Sequence, residues 1–110
     1  MKAFSYRDLA NIMSSRASPN YLRFRCVTPS WDNSPRCRRG PHVFIGSSPK
    51  LFQQWLAGAI KGELRSGGTD KLIFINAWNE WAEGNHLEPD ELHGRSYLEA
   101  VREALQSARP

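Results

Sequence analysis

Leu72-Ile73-Phe74-Ile75 is an uninterrupted run of four apolar residues, and the polar and aromatic segment Asn76-Ala-Trp-Asn-Glu-Trp-Ala-Glu-Gly84 follows it at once. Continuous apolar runs are typical of strands covered on both faces in a parallel sheet, and not of half-exposed antiparallel strands. The run therefore predicts a buried parallel strand whose carboxyl end carries a long polar and aromatic loop, from Asn76 to His93.

Helices are predicted on both sides of this strand. Before it, Ser48-Pro49 supplies an N-cap and a proline at the first helical position, and one broad apolar face continues until Gly67-Gly68. After it, the segment 94–108 places its apolar side chains on one stripe. Near the start of the chain, Ser5 to Ser14 predicts a further helix whose first turn the Ser5 hydroxyl caps.

Two shorter extended segments complete the pattern. Leu22 to Val27 alternates apolar and basic residues at strand period, and His42 to Ile45 predicts a brief extended piece. Between them, Thr28 to Pro41 has no periodicity and predicts a long loop, and long loops inside compact domains are usually functional. The order of helices, strands and loops is typical of βα units on a parallel sheet, so the fold class is predicted to be α/β.

The length limits what this pattern can build. A closed (β/α)8 barrel of the TIM type needs about 250 residues, whereas the chain has 110, which is room for about two βα units. If this is barrel sequence, it holds about the last quarter of the barrel. We then expect apolar faces without neighbours and an unpaired strand edge, so that the chain aggregates or stays partly molten by itself.

Composition excludes several classes of protein. With 40% hydrophobic and 24% charged residues, the chain is predicted to be one soluble globular unit. No apolar run approaches the roughly 18 residues of a membrane span, and the N-terminus lacks the apolar region of a secretory signal. We therefore predict no membrane span and a cytoplasmic location.

Charge and cysteine content give little information about the partners of this protein. The net charge of +4 comes from local arginines, which is weak support for a nucleic acid partner, and we predict none. Cys26 and Cys37 are interpreted as ordinary thiols, because a disulfide needs the two Cα atoms within about 7 Å, which sequence does not reveal. The sequence leaves the oligomeric state open.

The segment after the buried strand carries the chemistry. Glu80 and Glu83 lie three residues apart on a predicted turn, where the strand ends of a barrel line the active site. Neighbouring Trp78 and Trp81 would lower the local dielectric and offer flat faces to a sugar ring. Desolvation and mutual repulsion can separate the pKa values of two such carboxyls, leaving one as acid and one as base. Cleavage of a glycosidic bond requires that division of labour.

Two other interpretations of this segment stay open. In the first, the tryptophans fill the core and the glutamates are solvated loop charges. In the second, weaker one, His86, Glu88 and Asp90 join the glutamates as metal ligands. The chain has no His-x-x-x-His or cysteine pair to fix a transition metal, and the carboxylate spacing does not match an EF-hand loop. We predict no metal and no cofactor, with His86 as a hydrogen-bonding loop residue.

The string from Ile75 to Asp90, followed by Gly94 and Tyr97-Leu-Glu-Ala100, closely resembles the C-terminal end of the WbsX-type glycosyltransferase family. That family is related to glycoside hydrolase family 99, whose members are endo-α-mannosidase-like barrels. The resemblance implies that residues 1–110 are a single partial domain, the C-terminal segment of a family 99-like barrel.

The same family fits the upstream sequence in the same order. Val27-Thr-Pro-Ser-Trp-Asp-Asn33, then Arg36, then Gly46-Ser-Ser-Pro49 match its pattern. The resemblance therefore covers nearly the whole chain, from about Tyr6 to Leu105.

The resemblance also implies catalytic roles. Glu80 would act as base on the sugar 2-hydroxyl through an anhydro-sugar intermediate, and Glu83 as general acid and then base. Ala82 departs from the mannosidase branch, which typically has a histidine there. The chain has no diphosphate-binding glycine loop and no Asp-x-Asp metal motif. A retained hydrolase-like site therefore fits the residues better than a nucleotide-sugar site.

Substrate contacts are predicted on both loops. On the first loop, an aromatic ring beside a carboxylate and an amide suits a sugar, which has apolar C–H faces and many hydroxyls. Arg36 is open to pairing with an acidic sugar, a phosphate or Asp32, whereas Arg38 and Arg39 are interpreted as surface charges. The predicted substrate-binding residues are Trp31, Asp32, Asn33, Arg36, Trp78, Asn79, Trp81 and Glu88.

Three functional hypotheses follow. The first is a fragment of a glycan-processing enzyme of bacterial surface polysaccharide metabolism, of the O-antigen or lipopolysaccharide type, acting by glycosyl transfer or hydrolysis. The second is a non-catalytic carbohydrate-binding remnant that uses Trp31, Trp78 and Trp81. The third is a truncated gene product, because Met1 would lie deep inside the family's barrel, and such a chain would be inactive alone.

Overall fold

The chain alternates helices with short strands, and the strands pair two by two. The structure is a computed structural model that describes residues 1–109. Its elements are β1 (Lys2–Ser5), α1 (Tyr6–Ser15), β2 (Arg25–Val27), β3 (His42–Ile45), α2 (Pro49–Arg65), β4 (Ile73–Ile75), β5 (Asn79–Glu80), a 3₁₀ turn (Trp81–Glu83), β6 (Asn85–His86) and α3 (Ser96–Ser107). This order confirms the predicted α/β class.

Strands β2 and β4 form the parallel pair that organises the molecule. Arg25 lies opposite Ile73 and Val27 opposite Ile75, and helix α2 connects the two strands. Helix α3 follows β4, so the chain contains two consecutive βα units whose helices pack on each other. The carboxyl ends of both strands therefore lie at one edge of the sheet.

The predicted starts of helices α1 and α2 are confirmed. The Ser5 hydroxyl accepts a hydrogen bond from the Asp8 N–H at 3.2 Å, and the Ser48 hydroxyl accepts one from the Leu51 N–H at 3.1 Å. Each bond satisfies one of the N–H groups that a first helical turn leaves without a partner.

The predicted end of α2 is wrong by one residue. The helix ends at Arg65, because Ser66 and not a glycine caps it. The Ser66 hydroxyl and the Lys71 ammonium donate to the Glu63 carbonyl at 2.7 and 3.1 Å. Helix α3 similarly begins at Ser96 and not at residue 94, since Gly94 adopts a left-handed turn with φ +57°.

The core lies between the helices and one face of the β2–β4 pair. Tyr6, Phe52 and Leu56 are essentially fully buried, and the ring of Phe52 packs 5.8 Å from that of Tyr97. The Tyr6 hydroxyl donates to the Thr28 carbonyl at 2.7 Å, which ties helix α1 to the first residue after β2. Burial of its ring raises the pKa of Tyr6.

The opposite face of the β2–β4 pair is open. Phe74 is 55% exposed, and its register partner Cys26 is exposed beside it. The expectation that this strand is covered on both faces is therefore wrong for this chain, because the helices cover only the Val27 and Ile75 side. The predicted first strand is also shorter than expected, since only Arg25–Val27 has a pairing partner and Leu22 is 77% exposed.

Strand β1 was not predicted, and neither was the short β5–β6 hairpin inside the predicted loop from Asn76 to His93. Strand β1 pairs in parallel with β3, with Lys2 opposite His42 and Ser5 opposite Ile45. Its four residues are all exposed and show no alternation that sequence reasoning would detect. In the range 1–109, no helix has the length and apolar character needed to cross a membrane.

Candidate active site

Two loops meet at the carboxyl edge of the β2–β4 pair. We call residues 28–41 the β2 loop and residues 76–95 the β4 loop. The Asn76 N–H donates to the Val27 carbonyl at 2.9 Å, which extends the strand ladder to the start of both loops. The two loops face the same end of the fold, because β2 and β4 are parallel and their carboxyl ends lie at the same edge.

Two hydrogen bonds join the two loops, one between main chains and one from a side-chain hydroxyl. The Asp32 N–H donates to the Glu83 carbonyl at 2.8 Å, and the Ser30 hydroxyl donates to the Gly84 carbonyl. Gly84 has φ +56°, and a Cβ at this position would lie 3.4 Å from the Cβ of Asp32. The contact therefore needs glycine for its left-handed backbone.

A tight reversal of the chain positions the two predicted catalytic glutamates. Glu80 ends β5 and lies opposite Asn85 of β6 in an antiparallel pair of two residues per strand. The 3₁₀ turn Trp81–Glu83 closes this hairpin, and Gly84 is its left-handed C-cap. Both carboxylates therefore project from one turn at the edge of the sheet.

Arg36 links both glutamates to the other loop. Its Nη2 lies 3.3 Å from Oε1 of Glu80, and its Nη1 lies 3.7 Å from Oε1 of Glu83. The glutamate side chains are 34% and 25% exposed. Arg36 does not pair with Asp32, the residue of this chain that the sequence analysis considered as its partner. One guanidinium thus offsets one of the two negative charges and holds both carboxylates in a common volume.

Asp32 and Asn33 stabilise the shape of the β2 loop. The Asp32 carboxylate accepts hydrogen bonds from the hydroxyl and the N–H of Ser34, at 2.6 and 2.9 Å. Bonds that favour the ionised form hold the pKa of Asp32 below its ordinary value. The Asn33 side-chain oxygen accepts from the His42 N–H at 2.7 Å. Their predicted role in sugar binding stays a prediction.

Trp81 is held on two sides. Its Nε1 donates to Oε1 of Glu88 at 3.0 Å, and its ring stacks on His86 with centroids 3.7 Å apart and planes 16° apart. Trp81 and Trp78 are 49% and 51% exposed, so neither fills the core. The alternative that they are core residues is therefore wrong for this chain.

Trp31 lies in the β2 loop and Asn79 in the β4 loop. Trp31 is half-buried and packs against Phe44 of β3 with ring centroids 6.4 Å apart. This contact matches a loop anchor, and its predicted role in sugar binding stays a prediction. Asn79 is exposed in β5 opposite His86.

His86 belongs to a hydrogen-bonded pair that the sequence only partly revealed. Its Nε2 lies 2.9 Å from Oδ2 of Asp90, and Oδ1 of Asp90 accepts from the His93 N–H at 2.6 Å. These bonds, that of His93 foremost, lower the pKa of Asp90. The expectation that His86 forms a hydrogen bond is confirmed, but His86 lies in the short strand β6 and not in irregular loop. Its contact with Trp81 was missed, and the spacing of four residues between His86 and Asp90 is the one sequence signal for the pair.

The residues described here do not favour a metal centre. Among residues 1–109, no group of three or more histidine, cysteine, aspartate or glutamate side chains has a geometry suited to hold a metal ion. Cys26 and Cys37 are both free thiols, as interpreted from the sequence.

Comparison with known proteins gives a family and two relatives. A sequence model described as Glycosyltransferase WbsX matches residues 1–101. The chain is 40% identical over 106 residues to the uncharacterized protein WxcX of Xanthomonas campestris pv. campestris strain B100, covering 96% of this chain and 15% of that protein. It is 39% identical over 104 residues to WxcX of strain ATCC 33913, covering 94% and 15%. The chain thus spans about 15% of the length of these curated relatives. No solved structure gives a significant match.

Proposed function

Because this chain belongs to the WbsX glycosyltransferase family, we propose that it carries the catalytic glutamates of a glycan-processing enzyme. The family gives a glycan-related role and a carbohydrate substrate. The proposal goes further: the reaction is glycosyl transfer or hydrolysis of a glycosidic bond in surface polysaccharide metabolism of the O-antigen type. Glu80 and Glu83 carry it out.

One observation carries the proposal, namely that a single guanidinium contacts both carboxylates. Arg36 reaches Glu80 at 3.3 Å and Glu83 at 3.7 Å from a different loop. Two solvated loop charges need no such partner, whereas a pair that acts on one sugar must converge. The pair also lies where parallel strands end, which is where barrel enzymes place their reacting groups.

The proposed reaction follows the roles that the family resemblance implies. Glu80 removes the proton of the sugar 2-hydroxyl, whose oxygen bonds to C1 while the bond from C1 to the leaving oxygen breaks and Glu83 gives its proton to that oxygen. Glu83 then deprotonates an incoming hydroxyl that bonds to C1, and the released 2-oxygen regains its proton from Glu80. The product is hydrolytic when the incoming group is water and a transfer product when it is a sugar hydroxyl, so the same residues serve both.

We also propose that residues 1–110 are a single partial domain, the C-terminal segment of a (β/α)8 barrel. The open Phe74 face of β4 and the two consecutive βα units support this. In a closed barrel, that face would pack against inward-pointing side chains of other strands. The 110-residue chain alone is then expected to be inactive, since the missing strands supply further substrate contacts.

The test uses the intact protein with Glu80→Gln and Glu83→Gln, and with Glu91→Gln as a matched control in the same loop. Substrates are the surface polysaccharide of the source strain and a panel of aryl glycosides, some with a dinitrophenyl leaving group. Each catalytic variant should lose about 100-fold to 10,000-fold in kcat/KM on unactivated substrates, while Glu91→Gln stays near wild type.

The leaving group separates the two roles. Dinitrophenolate departs without protonation, so Glu83→Gln should lose far less in its first step on dinitrophenyl glycosides, whereas Glu80→Gln should lose activity on every substrate. Full activity in either variant removes that residue from the site. Saturable quenching of tryptophan fluorescence by glycan, without any product, would contradict the proposed catalysis and support the non-catalytic carbohydrate-binding alternative.

A further inference from the structure

The side chain of Trp81 is half-exposed, yet two side chains of the same loop hold it in place. Its edge is anchored by the 3.0 Å bond from Nε1 to Glu88, and one of its faces is covered by the imidazole of His86 at 3.7 Å. The contrast is Trp78, equally exposed in the same loop. Within residues 1–109 it has no aromatic partner and no side-chain hydrogen bond.

The imidazole that covers Trp81 is itself held in place. Nε2 of His86 lies 2.9 Å from Asp90, and the His93 N–H fixes the second oxygen of that carboxylate. Nδ1 of His86 is buried and has no hydrogen-bond partner in the described part of the chain. The neutral ring therefore carries its proton on Nε2, where it is donated to Asp90, because a proton on Nδ1 would be buried without an acceptor.

The consequence is a tryptophan with one available face. Trp81 lies between Glu80 and Glu83 in the turn, so the orientation of its ring and the positions of both carboxylates depend on the same backbone. Sugar rings stack their C–H faces on aromatic faces, and the stacking requires a ring plane that stays fixed relative to the reacting groups.

We propose that His86 and Asp90 are positioning residues that, together with Glu88, make Trp81 a one-faced platform for an uncharged sugar ring. This inference rests on the proposed function, and it names the substrate class of the same site. The sugar ring lies on the face of the Trp81 indole that is opposite His86. Glu88, predicted to bind substrate, instead acts through Trp81.

The charge around the turn sets the class of sugar. Arg36 already lies within 4.0 Å of two carboxylates, and with Glu83 protonated as the proposed acid, the charge of Arg36 is offset by Glu80. Glu88 then leaves an excess negative charge at the indole edge. A carboxylate or phosphate on the sugar would meet this excess negative charge, whereas an uncharged ring would not. The acidic sugar considered for Arg36 is therefore disfavoured.

The first experiment tests the positioning without any substrate. The intact protein is labelled with 5-fluorotryptophan, and the Trp81 fluorine resonance is assigned with Trp81→Phe. His86→Ala should move and broaden that resonance, and Asp90→Asn should do so less. His86→Phe, which keeps an aromatic ring, should stay closer to wild type. His93→Ala is the matched control, since it truncates a histidine of the same loop but keeps the main-chain donor to Asp90.

The second experiment adds methyl glycosides of glucose, galactose, mannose and N-acetylglucosamine, and methyl glucuronide as the acidic probe. At least one uncharged glycoside should shift the Trp81 resonance, and His86→Ala should weaken that binding about threefold to tenfold, with partial recovery in His86→Phe. A Trp81 resonance unmoved by His86→Ala overturns the positioning role. Tightest binding of methyl glucuronide overturns the substrate class.

The two proposals can fail separately. Loss of activity in the Glu80 and Glu83 variants, with no glycoside shifting the Trp81 resonance, leaves the enzyme standing and removes the platform. A resonance that shifts with glycoside while both glutamate variants stay active leaves the platform standing and removes the proposed catalysis.

Discussion

The helical layer and the loop edge of this molecule are stabilised in different ways. Between the helices and the β2–β4 pair, Phe52 and Leu56 are buried among apolar neighbours and make no polar contact through their side chains. At the loop edge, the β2 and β4 loops are half-exposed and are joined by hydrogen bonds and by the ion pairs of Arg36. Apolar burial builds the scaffold, and directional polar contacts place the reacting groups.

This difference teaches where single changes should act. Apolar packing is non-directional and spread over many neighbours, so its loss lowers the free energy of unfolding of the whole domain. A polar contact at the edge contributes little to stability when it is exposed, yet it fixes geometry. Changes in the helical layer should therefore affect folding, and changes at the loop edge should affect activity.

The largest expected effect comes from the helical layer. Phe52→Ala removes a fully buried ring that packs on Tyr97, and it should lower the free energy of unfolding by about 3–5 kcal/mol. Urea unfolding of the intact protein measures this, with Leu92→Ala as the control because that side chain is 84% exposed. Equal losses in the two variants would contradict the assignment of the core.

The next effect belongs to the loop edge. Arg36→Gln should reduce kcat/KM on glycosides about tenfold to 100-fold while leaving the urea midpoint nearly unchanged, since it frees the two carboxylates from a common position. Arg36→Lys should recover only part of the activity, because a single ammonium does not reproduce the fork of a guanidinium. Arg38→Gln, at an exposed position, is the control. A large loss of stability with unchanged activity in Arg36→Gln would reverse the comparison.

A pair of glycines sharpens the comparison further. Gly84→Ala forces a side chain into a left-handed backbone beside Asp32, and it should cost about 1–2 kcal/mol of stability. Gly58→Ala, in helix α2 with open space around it, should instead stabilise the protein by about 0.4–1 kcal/mol. Opposite signs in thermal or urea unfolding are expected. Matching signs would show that the Gly84 turn relaxes without strain.

The smallest expected effect is a dependence of the free energy of unfolding on pH. Because hydrogen bonds from Ser34 lower the pKa of Asp32, the unfolded chain binds more protons than the folded one between the two pKa values. The contribution of Asp32 is therefore fully present above the ordinary aspartate value of about 3.9 and is lost as pH falls through the lower folded value. Urea unfolding from pH 6 to 2 should show a steeper loss in wild type than in Asp32→Asn. Identical slopes would exclude the contribution.

Local signals in the sequence predicted most of the scaffold. The caps at Ser5 and Ser48 were correctly placed, because a capping hydroxyl bonds within its own first turn. The α/β class followed from periodicity, because the spacing of apolar residues within a helix or strand is also a local property of the sequence. The length of β2 was overestimated, since a strand extends only as far as its partner, and the alternation around Leu22 contains no information on that partner.

The sequence by itself determined the candidate glutamates, the tryptophans beside them and the family, because these depend on residue type and spacing along one chain. Only the tertiary structure decided that Arg36 bridges Glu80 and Glu83 and that His86 covers one face of Trp81. The first contact joins loops more than forty residues apart in sequence. The second depends on how a hairpin turns its side chains. Neither contact is visible in the periodicity of the sequence. The contacts form only when β2 and β4 pair and bring their carboxyl ends to one edge.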